Sequence, residues 1–166
     1  MCKPVPIIDL FAGPGGLGEG FSAFTLQESS FLPFRIALSV EKDFHAHKTL
    51  ELRSFFRHLR ETKDIEDYFV YLQGSITREE LFRLHPEQAE AAHREAMHAE
   101  LGKEDDRVFE GIRKALKSFK GSQSVLIGGP PCQAYSVIGR SRMQNAMPEK
   151  FEADERHLLY REYLKV

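Results

Sequence analysis

The sequence predicts an α/β protein in which a sheet of buried strands is packed between helices. Short apolar runs at residues 5–11, 36–41 and 125–127 have the length and composition of buried strands. A glycine-rich loop and a helical apolar pattern follow the first run, which is the order of a βαβ unit. A β-rich run at residues 68–72 is interpreted as the third strand in chain order.

Length and composition indicate a globular domain or part of one. The chain has 166 residues, of which 42% are hydrophobic and 29% charged. No apolar run reaches the length of a membrane span, and the N-terminus lacks the layout of a signal peptide. The net charge of −2 gives no general basic excess, so any contact with nucleic acid needs local or additional basic surface.

The cysteines, Cys2 and Cys132, are too few for a disulfide framework or a structural zinc site. A reducing, cytoplasmic environment fits them and would keep a nucleophilic thiol usable. The histidines at 85, 93 and 98 are interpreted as surface residues, because the 93–98 spacing takes them off a common helix face. We therefore expect no metal site.

The loop at residues 12–18 is the first candidate ligand site. A strand, a glycine loop and a helix place a ligand against backbone N–H groups at the start of the helix. Gly13, Gly15 and Gly18 formally meet the dinucleotide pattern, which leaves a dinucleotide-dependent oxidoreductase open. Glu41 ends the second strand just past twenty residues after the loop, where an acidic side chain can accept both ribose hydroxyls.

The second candidate site follows the last strand. Two glycines and two prolines, at 128–131, lead directly to Cys132. The glycines permit a tight exit from the sheet and the prolines stiffen the chain, so the thiol is held at the carboxyl end of a strand. Ligands of open α/β sheets bind at that end.

The sequence contains two strings that together resemble motifs of the DNA cytosine-5 methyltransferases. They are Gly-Pro-Pro-Cys-Gln at 129–133 and Asp-Leu-Phe-Ala-Gly-Pro-Gly-Gly at 9–16. The resemblance implies a Rossmann-like, S-adenosylmethionine-dependent fold with an incomplete parallel sheet of strand order 3-2-1-4 and helices on both faces. It implies that Cys132 attacks C6 of a flipped-out cytosine, with Pro130 and Gln133 shaping the pocket. A bacterial, cytoplasmic restriction–modification system would be the setting.

The resemblance also assigns the cofactor contacts. In the family, an aromatic residue and a leucine lie on opposite sides of the adenine, which corresponds to Phe11 and Leu159. Ser75 stands where the family has an aspartate that receives the adenine amino group, so weaker binding is expected there. The full set implied for S-adenosylmethionine is Phe11, Gly13, Gly15, Gly16, Leu17, Glu41, Ser75, Ile76, Pro130 and Leu159.

Between these motifs the sequence is mostly helical. Residues 44–59 predict an amphipathic helix with inward positions at 46, 50, 55 and 59 and a solvated polar face. Residues 77–121 are interpreted as a helical insertion between the third and fourth strands, with a capping box at Thr77 and helices over 89–101 and 105–119. Residues 137–153 would form the mobile catalytic loop, with Arg140, Arg142 and Lys150 on DNA phosphates.

The family's later elements, Glu-Asn-Val and Gln-x-Arg-x-Arg, are not found in the sequence. Residues 1–166 would therefore be part of a catalytic domain, inactive alone, that meets double-stranded DNA together with a C-terminal half supplied in cis or in trans. The fourth strand would be an exposed edge open to self-association. A natural half of a split methyltransferase and a non-catalytic cofactor-binding module remain alternatives. The oxidoreductase ranks lower because it gives residues 130–133 no role.

Overall fold

A computed structural model of the chain describes residues 3–25, 31–119, 121–130 and 159–166. Four parallel strands form one sheet in the order β3-β2-β1-β4. Their bounds are β1 Val5–Leu10, β2 Phe34–Glu41, β3 Ala96–His98 and β4 Val125–Gly128. The predicted α/β class and the strand order 3-2-1-4 are confirmed.

Seven α-helices lie within the described ranges, and a short 3-10 helix at Lys117–Phe119 follows the sixth. They are α1 Gly16–Ala23, α2 Phe44–Thr62, α3 Glu66–Leu72, α4 Arg78–Leu84, α5 Pro86–Glu95, α6 Asp105–Leu116 and α7 Leu159–Leu164. The Asp43 side chain starts α2 by accepting the N–H of Ala46 at 2.8 Å. The capping box predicted at Thr77 is present, with Glu80 completing it. No helix within these ranges is long and apolar enough to cross a membrane.

Both faces of the sheet are buried, which is why its strands are almost continuously apolar. On one face, Ile8 and Leu10 of β1 pack with Val108 and Ile112 of α6. On the other, Ile7, Ile36 and Ile127 form a cluster against Phe21 of α1. The carboxyl ends of the strands therefore emerge at one edge, between two helical layers.

The prediction of a strand at residues 68–72 is wrong, because these residues belong to helix α3. Three side chains spaced three residues apart pack against α2 and its neighbours: Ile65, just before the helix, and Tyr68 and Tyr71 within it. The ring of Tyr68 stacks on Phe56 of α2 at 4.3 Å between centroids. A short apolar run has no distinctive period, so the partner surface on α2 decides its conformation.

The third strand of the sheet is instead Ala96–His98, inside the stretch predicted as one helix over 89–101. Helix α5 ends at Glu95, and the next three residues pair with Ser39, Val40 and Glu41 of β2. Pairing with the open edge of β2 overrides the helix propensity of an Ala- and Glu-rich segment. The range 77–121, interpreted as an insertion after the third strand, thus contains that strand.

Helices α3, α4 and α5 share a second apolar core with the outer side of α2. Phe55, Leu59, Leu81 and Ala92 are fully buried there. Phe55 and Phe82 stack with their centroids 4.5 Å apart. The helical layer between β2 and β3 is therefore attached through α2.

The polar face of α2 is not wholly solvated, contrary to the sequence-based expectation. Arg57 pairs with Glu19 of α1 and with Glu95 of α5. Ser54 Oγ donates to Glu95 at 2.8 Å, and His58 Nε2 donates to the other oxygen at 3.1 Å. This buried network joins three helices immediately before β3 begins.

Candidate functional site

The glycine loop is attached to the end of β2 by the carboxylate of Glu41. Glu41 Oε2 accepts the N–H of Gly13 at 2.8 Å, and Oε1 accepts the N–H of Asp43 at 2.7 Å. The N–H of Ala12 donates to the carbonyl of Val40 at 3.1 Å. The Gly13 and Ala12 bonds join the loop after β1 to the end of β2, so the loop and the acidic residue are held together.

The backbone of this loop enters the left-handed region at one aromatic residue and two glycines. Phe11, Gly13 and Gly15 have φ of 54°, 57° and 90°. A Cβ at Gly15 would lie 2.8 Å from Leu50 Cδ1 of α2 as well as being conformationally strained. Glycine at position 15 therefore allows α1 to begin close against α2.

Glu41 still has acceptor capacity for a ligand. A carboxylate offers about four lone-pair directions, and the two backbone N–H groups occupy one on each oxygen. The side chain is half-buried at the carboxyl edge of the sheet. It can thus hold the loop and accept two ligand hydroxyls at the same time.

A cavity of about 230 Å³ opens beside Glu41, over the ends of β1, β2 and β3. Its walls are mainly apolar, and charged side chains from β2 and β3 stand at its rim. The lining residues are Leu10, Phe11, Gly13, Val40, Glu41, Lys42, Ala99, Glu100, Leu101, Gly129 and Leu159. An apolar pocket with a few convergent polar groups is the usual form of a cofactor site.

The structure brings together four of the predicted cofactor residues, namely Phe11, Gly13, Glu41 and Leu159. Gly15 and Gly16 form the turn into α1 beside the cavity without lining it. Leu17, in the first turn of α1, is 49% exposed and is not part of the lining.

Ser75 and Ile76, expected at the adenine, lie instead between α3 and α4. The N–H of Ser75 donates to the carbonyl of Val70 at 3.1 Å, and Ile76 packs into the second apolar core. Their predicted position depended on the strand assigned to residues 68–72. With that strand a helix, neither residue reaches the carboxyl edge of the sheet.

Residues after β3, which the sequence-based interpretation missed, occupy that place: Ala99, Glu100 and Leu101 line the cavity. The sequence does carry a signal for this position, namely the acidic Glu100 followed by the apolar Leu101 shortly after Ala96–His98. The helix-forming residues around it concealed the end of the strand. The Glu100 carboxylate contacts Lys42 and Lys103, each at 3.2 Å. Hydrogen bonds from Lys103 and Lys42 lower the pKa of Glu100 and keep it ionised.

The exit from β4 reaches the same edge. A Cβ at Gly128 would lie 2.3 Å from the Leu10 carbonyl oxygen and 2.9 Å from Tyr163 of α7. The Tyr163 hydroxyl donates to the Leu126 carbonyl at 3.2 Å, which holds α7 over β4. Gly129 lines the cavity, and half-buried Pro130 follows it.

Part of the predicted site lies outside the described residues. This applies to Cys132, Gln133 and the loop at 137–153. In the chain, Cys132 stands two residues beyond Pro130. Within the described ranges, no group of three or more His, Cys, Asp or Glu side chains could hold a metal ion.

Asp9, on β1 beneath the glycine loop, is a buried carboxyl that the sequence did not single out. It is 1% exposed, and within the described ranges neither oxygen has a partner that meets full hydrogen-bond geometry, the Gly18 N–H being only nearby. Desolvation raises the pKa of Asp9 to about 6, and the charge of Glu41 adds to the rise. The Gly18 N–H and the Arg57 guanidinium act in the opposite direction. A Cβ at Gly18 would lie 3.2 Å from Asp9 Oδ2, so α1 packs directly on this carboxyl.

Comparisons with known proteins give two similar sequences. The chain is 32% identical over 176 aligned positions to type II methyltransferase M.Bpa9945I of Bacillus paralicheniformis, covering 96% of the chain and 37% of that protein. It is 28% identical over 164 positions to a protein of Oceanobacillus iheyensis provisionally named type II methyltransferase M.OihORF3336P, covering 98% of the chain and 26% of that protein.

No protein-family model matches the chain, and no solved structure matches it. The chain spans 37% and 26% of the lengths of the two relatives. In both cases the similarity extends over nearly the whole chain, through the glycine loop, the cavity and the exit from β4. The chain, with its Rossmann-like sheet, is thus similar over nearly its whole length to parts of two proteins named as type II methyltransferases.

Proposed function

We propose that this chain is the cofactor-binding and nucleophile-bearing part of a DNA (cytosine-5-)-methyltransferase of a restriction–modification system. One observation carries the proposal. The glycine loop with Glu41 meets Gly129 at one cavity, and Gly129 stands three residues before Cys132 in the sequence. A cofactor site and a thiol are needed at the same place when a methyl group passes to a covalently held base.

The cavity fits S-adenosylmethionine on several counts. The free lone pairs of Glu41 suit the ribose hydroxyls, and Phe11, Leu101 and Leu159 offer apolar walls for the adenine. Glu100, ionised and at the end of β3, suits the adenine amino group as an acceptor. This assignment replaces Ser75, and charge assistance would make the contact stronger than a serine could.

When bound, S-adenosylmethionine would supply an electrophilic methyl group. In the proposed reaction, the Cys132 thiolate bonds to C6 of a flipped cytosine, and C5 becomes nucleophilic. After C5 has gained the methyl group it loses its proton, and the C6–S bond breaks to return the thiolate. Pro130 and Gln133 would shape the pocket around the thiol.

The proposed reaction needs groups beyond this chain. In the family, a glutamate in Glu-Asn-Val holds N3 of the cytosine, and positioned proton transfer of this kind contributes roughly 10²–10⁴ in rate. A C-terminal half, in cis or in trans, would supply it together with the contacts to double-stranded DNA. The self-association proposed for the β4 edge would compete with pairing to that half.

The test is methylation of DNA by the full-length protein, with the product digested to nucleosides and identified by mass spectrometry. We expect 5-methylcytosine; N4-methylcytosine or N6-methyladenine would contradict the cytosine-5 assignment. Cys132→Ser should lower the rate by about a thousandfold or more, as removal of a nucleophile does. Cys2→Ser is the matched control and should keep the rate within about threefold of the original protein.

The dinucleotide alternative has one structural argument. Gly18 allows α1 to pack closely on β1, as the third glycine of dinucleotide-binding folds does. This alternative still gives Pro130, Cys132 and Gln133 no role. Binding of NAD with no binding of S-adenosylhomocysteine would favour it over the methyltransferase.

A further inference from the structure

A second cavity adjoins the one beside Glu41. It has a volume of about 410 Å³ and is lined by Lys42, Asp43, His98, Ala99, Glu100 and Glu104. The two cavities share Lys42, Ala99 and Glu100. The side chains of Lys42 and Glu100 therefore stand at the boundary between them.

The ion pair at this boundary is held from both strands. Lys42 Nζ lies 3.2 Å from Glu100 Oε1, which joins the end of β2 to the end of β3. His98 Nε2 donates to the Lys42 carbonyl at 2.9 Å, and the Ala99 N–H donates to the Glu41 carbonyl at 3.1 Å. These bonds fix the backbone on both sides of the ion pair, which spans the ends of β2 and β3.

The strength of this pair matters less than its position. The Lys42 side chain is 53% exposed and that of Glu100 33% exposed, so the pair contributes little to stability. The aliphatic part of the lysine nevertheless occupies space between the cavities. Its consequence is steric.

This inference rests on the proposed function, which sets the direction of the cofactor. If Glu41 accepts the ribose hydroxyls, the base extends away from the glycine loop, across β2 toward β3. That direction leads to Glu100 and Leu101 at the far wall of the first cavity. The exocyclic amino group of the adenine would then face the ion pair.

We infer that the Lys42–Glu100 ion pair is a partition that limits the size of the base accepted by the cofactor site. A substituent on the adenine amino group would meet the lysine and be excluded. Without the lysine, the two cavities would join, and the carboxylates of Asp43, Glu100 and Glu104 would face the added space. Lys42 is thus a specificity-determining residue.

The experiment compares two ligands in the full-length protein by isothermal titration calorimetry. The first is S-adenosylhomocysteine, and the second carries an N6-(2-aminoethyl) group, whose ammonium suits the carboxylates of the outer cavity. In the original protein the substituted ligand should bind much more weakly. In Lys42→Ala the ratio of the two Kd values should fall by about tenfold or more, since steric and like-charge exclusion are both removed.

Lys103→Ala is the matched control, because Lys103 contacts the other oxygen of Glu100 and is not part of either lining. It should leave the ratio within about twofold of the original. An unchanged ratio in Lys42→Ala, or an equal fall in Lys103→Ala, would overturn the partition. Absence of any S-adenosylhomocysteine binding to the original protein would instead refute the proposed function. Lys42 is half-exposed, so the substitution is not expected to unfold the chain.

Discussion

At the scale of single residues, three carboxyl groups near the carboxyl edge of the sheet differ in their surroundings: those of Asp9, Glu41 and Glu100. Glu41 attaches the glycine loop to β2 and keeps lone pairs free. Glu100 is held ionised by two lysines. Among the described residues, Asp9 is buried without a partner that meets hydrogen-bond geometry, so whether it is protonated or ionised should affect stability measurably.

Asp9→Asn should stabilise the fold above about pH 6. The folded-state pKa of about 6 lies above the reference of 3.8, so ionisation of Asp9 opposes folding by about 3 kcal/mol once both states are ionised. The penalty decreases as pH falls below 6 and vanishes below about 4, where both states are protonated. Denaturant unfolding of the full-length protein at pH 4, 6 and 8 measures this. Asp64→Asn, an exposed control, should show no such pH trend. A loss of stability at pH 8 in Asp9→Asn would contradict the argument.

Glu100→Ala should weaken S-adenosylhomocysteine binding by about ten- to a hundredfold, because it removes the charged acceptor proposed for the adenine amino group. Ser75→Ala is the control and should leave the Kd within about twofold, since Ser75 lies between α3 and α4. Calorimetric titration of both variants decides between the two positions. A larger effect of Ser75→Ala would restore the sequence-based assignment.

At the scale of elements, the position of β3 depends on the network around Glu95. Burial opposes ionisation of Glu95, but the His58 hydrogen bond and the charge of Arg57 together outweigh it and keep its pKa low. Glu95 is the last residue of α5, and β3 starts at the next residue. The network therefore fixes where the chain enters the sheet and, through it, where Glu100 stands.

Arg57→Met should destabilise the protein by about 3 kcal/mol, because it leaves Glu95 buried without its guanidinium partner. Arg94→Met, which removes an exposed pair with Glu90 on α5, should cost about 0.5 kcal/mol or less. Urea unfolding monitored by circular dichroism gives both values. Equal effects would show that the buried network carries no special stability.

At the scale of the whole molecule, the proposed cofactor site joins parts of the chain that are far apart in sequence. The lining runs from Leu10 on β1 to Leu159 on α7. Because the folded chain alone assembles this cavity, ligand binding should stabilise the whole fold. This coupling can be measured independently of methyl transfer.

S-adenosylhomocysteine at a hundred times its Kd should add about 2.7 kcal/mol to the free energy of unfolding of the full-length protein. Cys132→Ser should retain this stabilisation, because the role proposed for the thiol is on the base and not on the cofactor. Thermal unfolding with and without the ligand measures both. Loss of the stabilisation in Cys132→Ser would show that Cys132 has a role in holding the cofactor.

The sequence by itself determined the features that depend on local chemistry. The glycine loop, the helix that begins after Asp43, the capping box at Thr77 and Glu41 at the end of β2 all follow from neighbouring residues. The same is true of the α/β class, because alternating strands and helices bury their apolar faces in few ways.

Only the tertiary structure decided which segment became the third strand. Ala96–His98 has little strand propensity and pairs because the edge of β2 offers unpaired backbone groups. Residues 68–72 have the composition of a strand. They form a helix because residues three apart, such as Tyr68 and Tyr71, can then pack on the apolar surface of α2. This choice places Glu100, and not Ser75, at the cavity beside Glu41. Such a choice depends on contacts between distant segments, which no local pattern records.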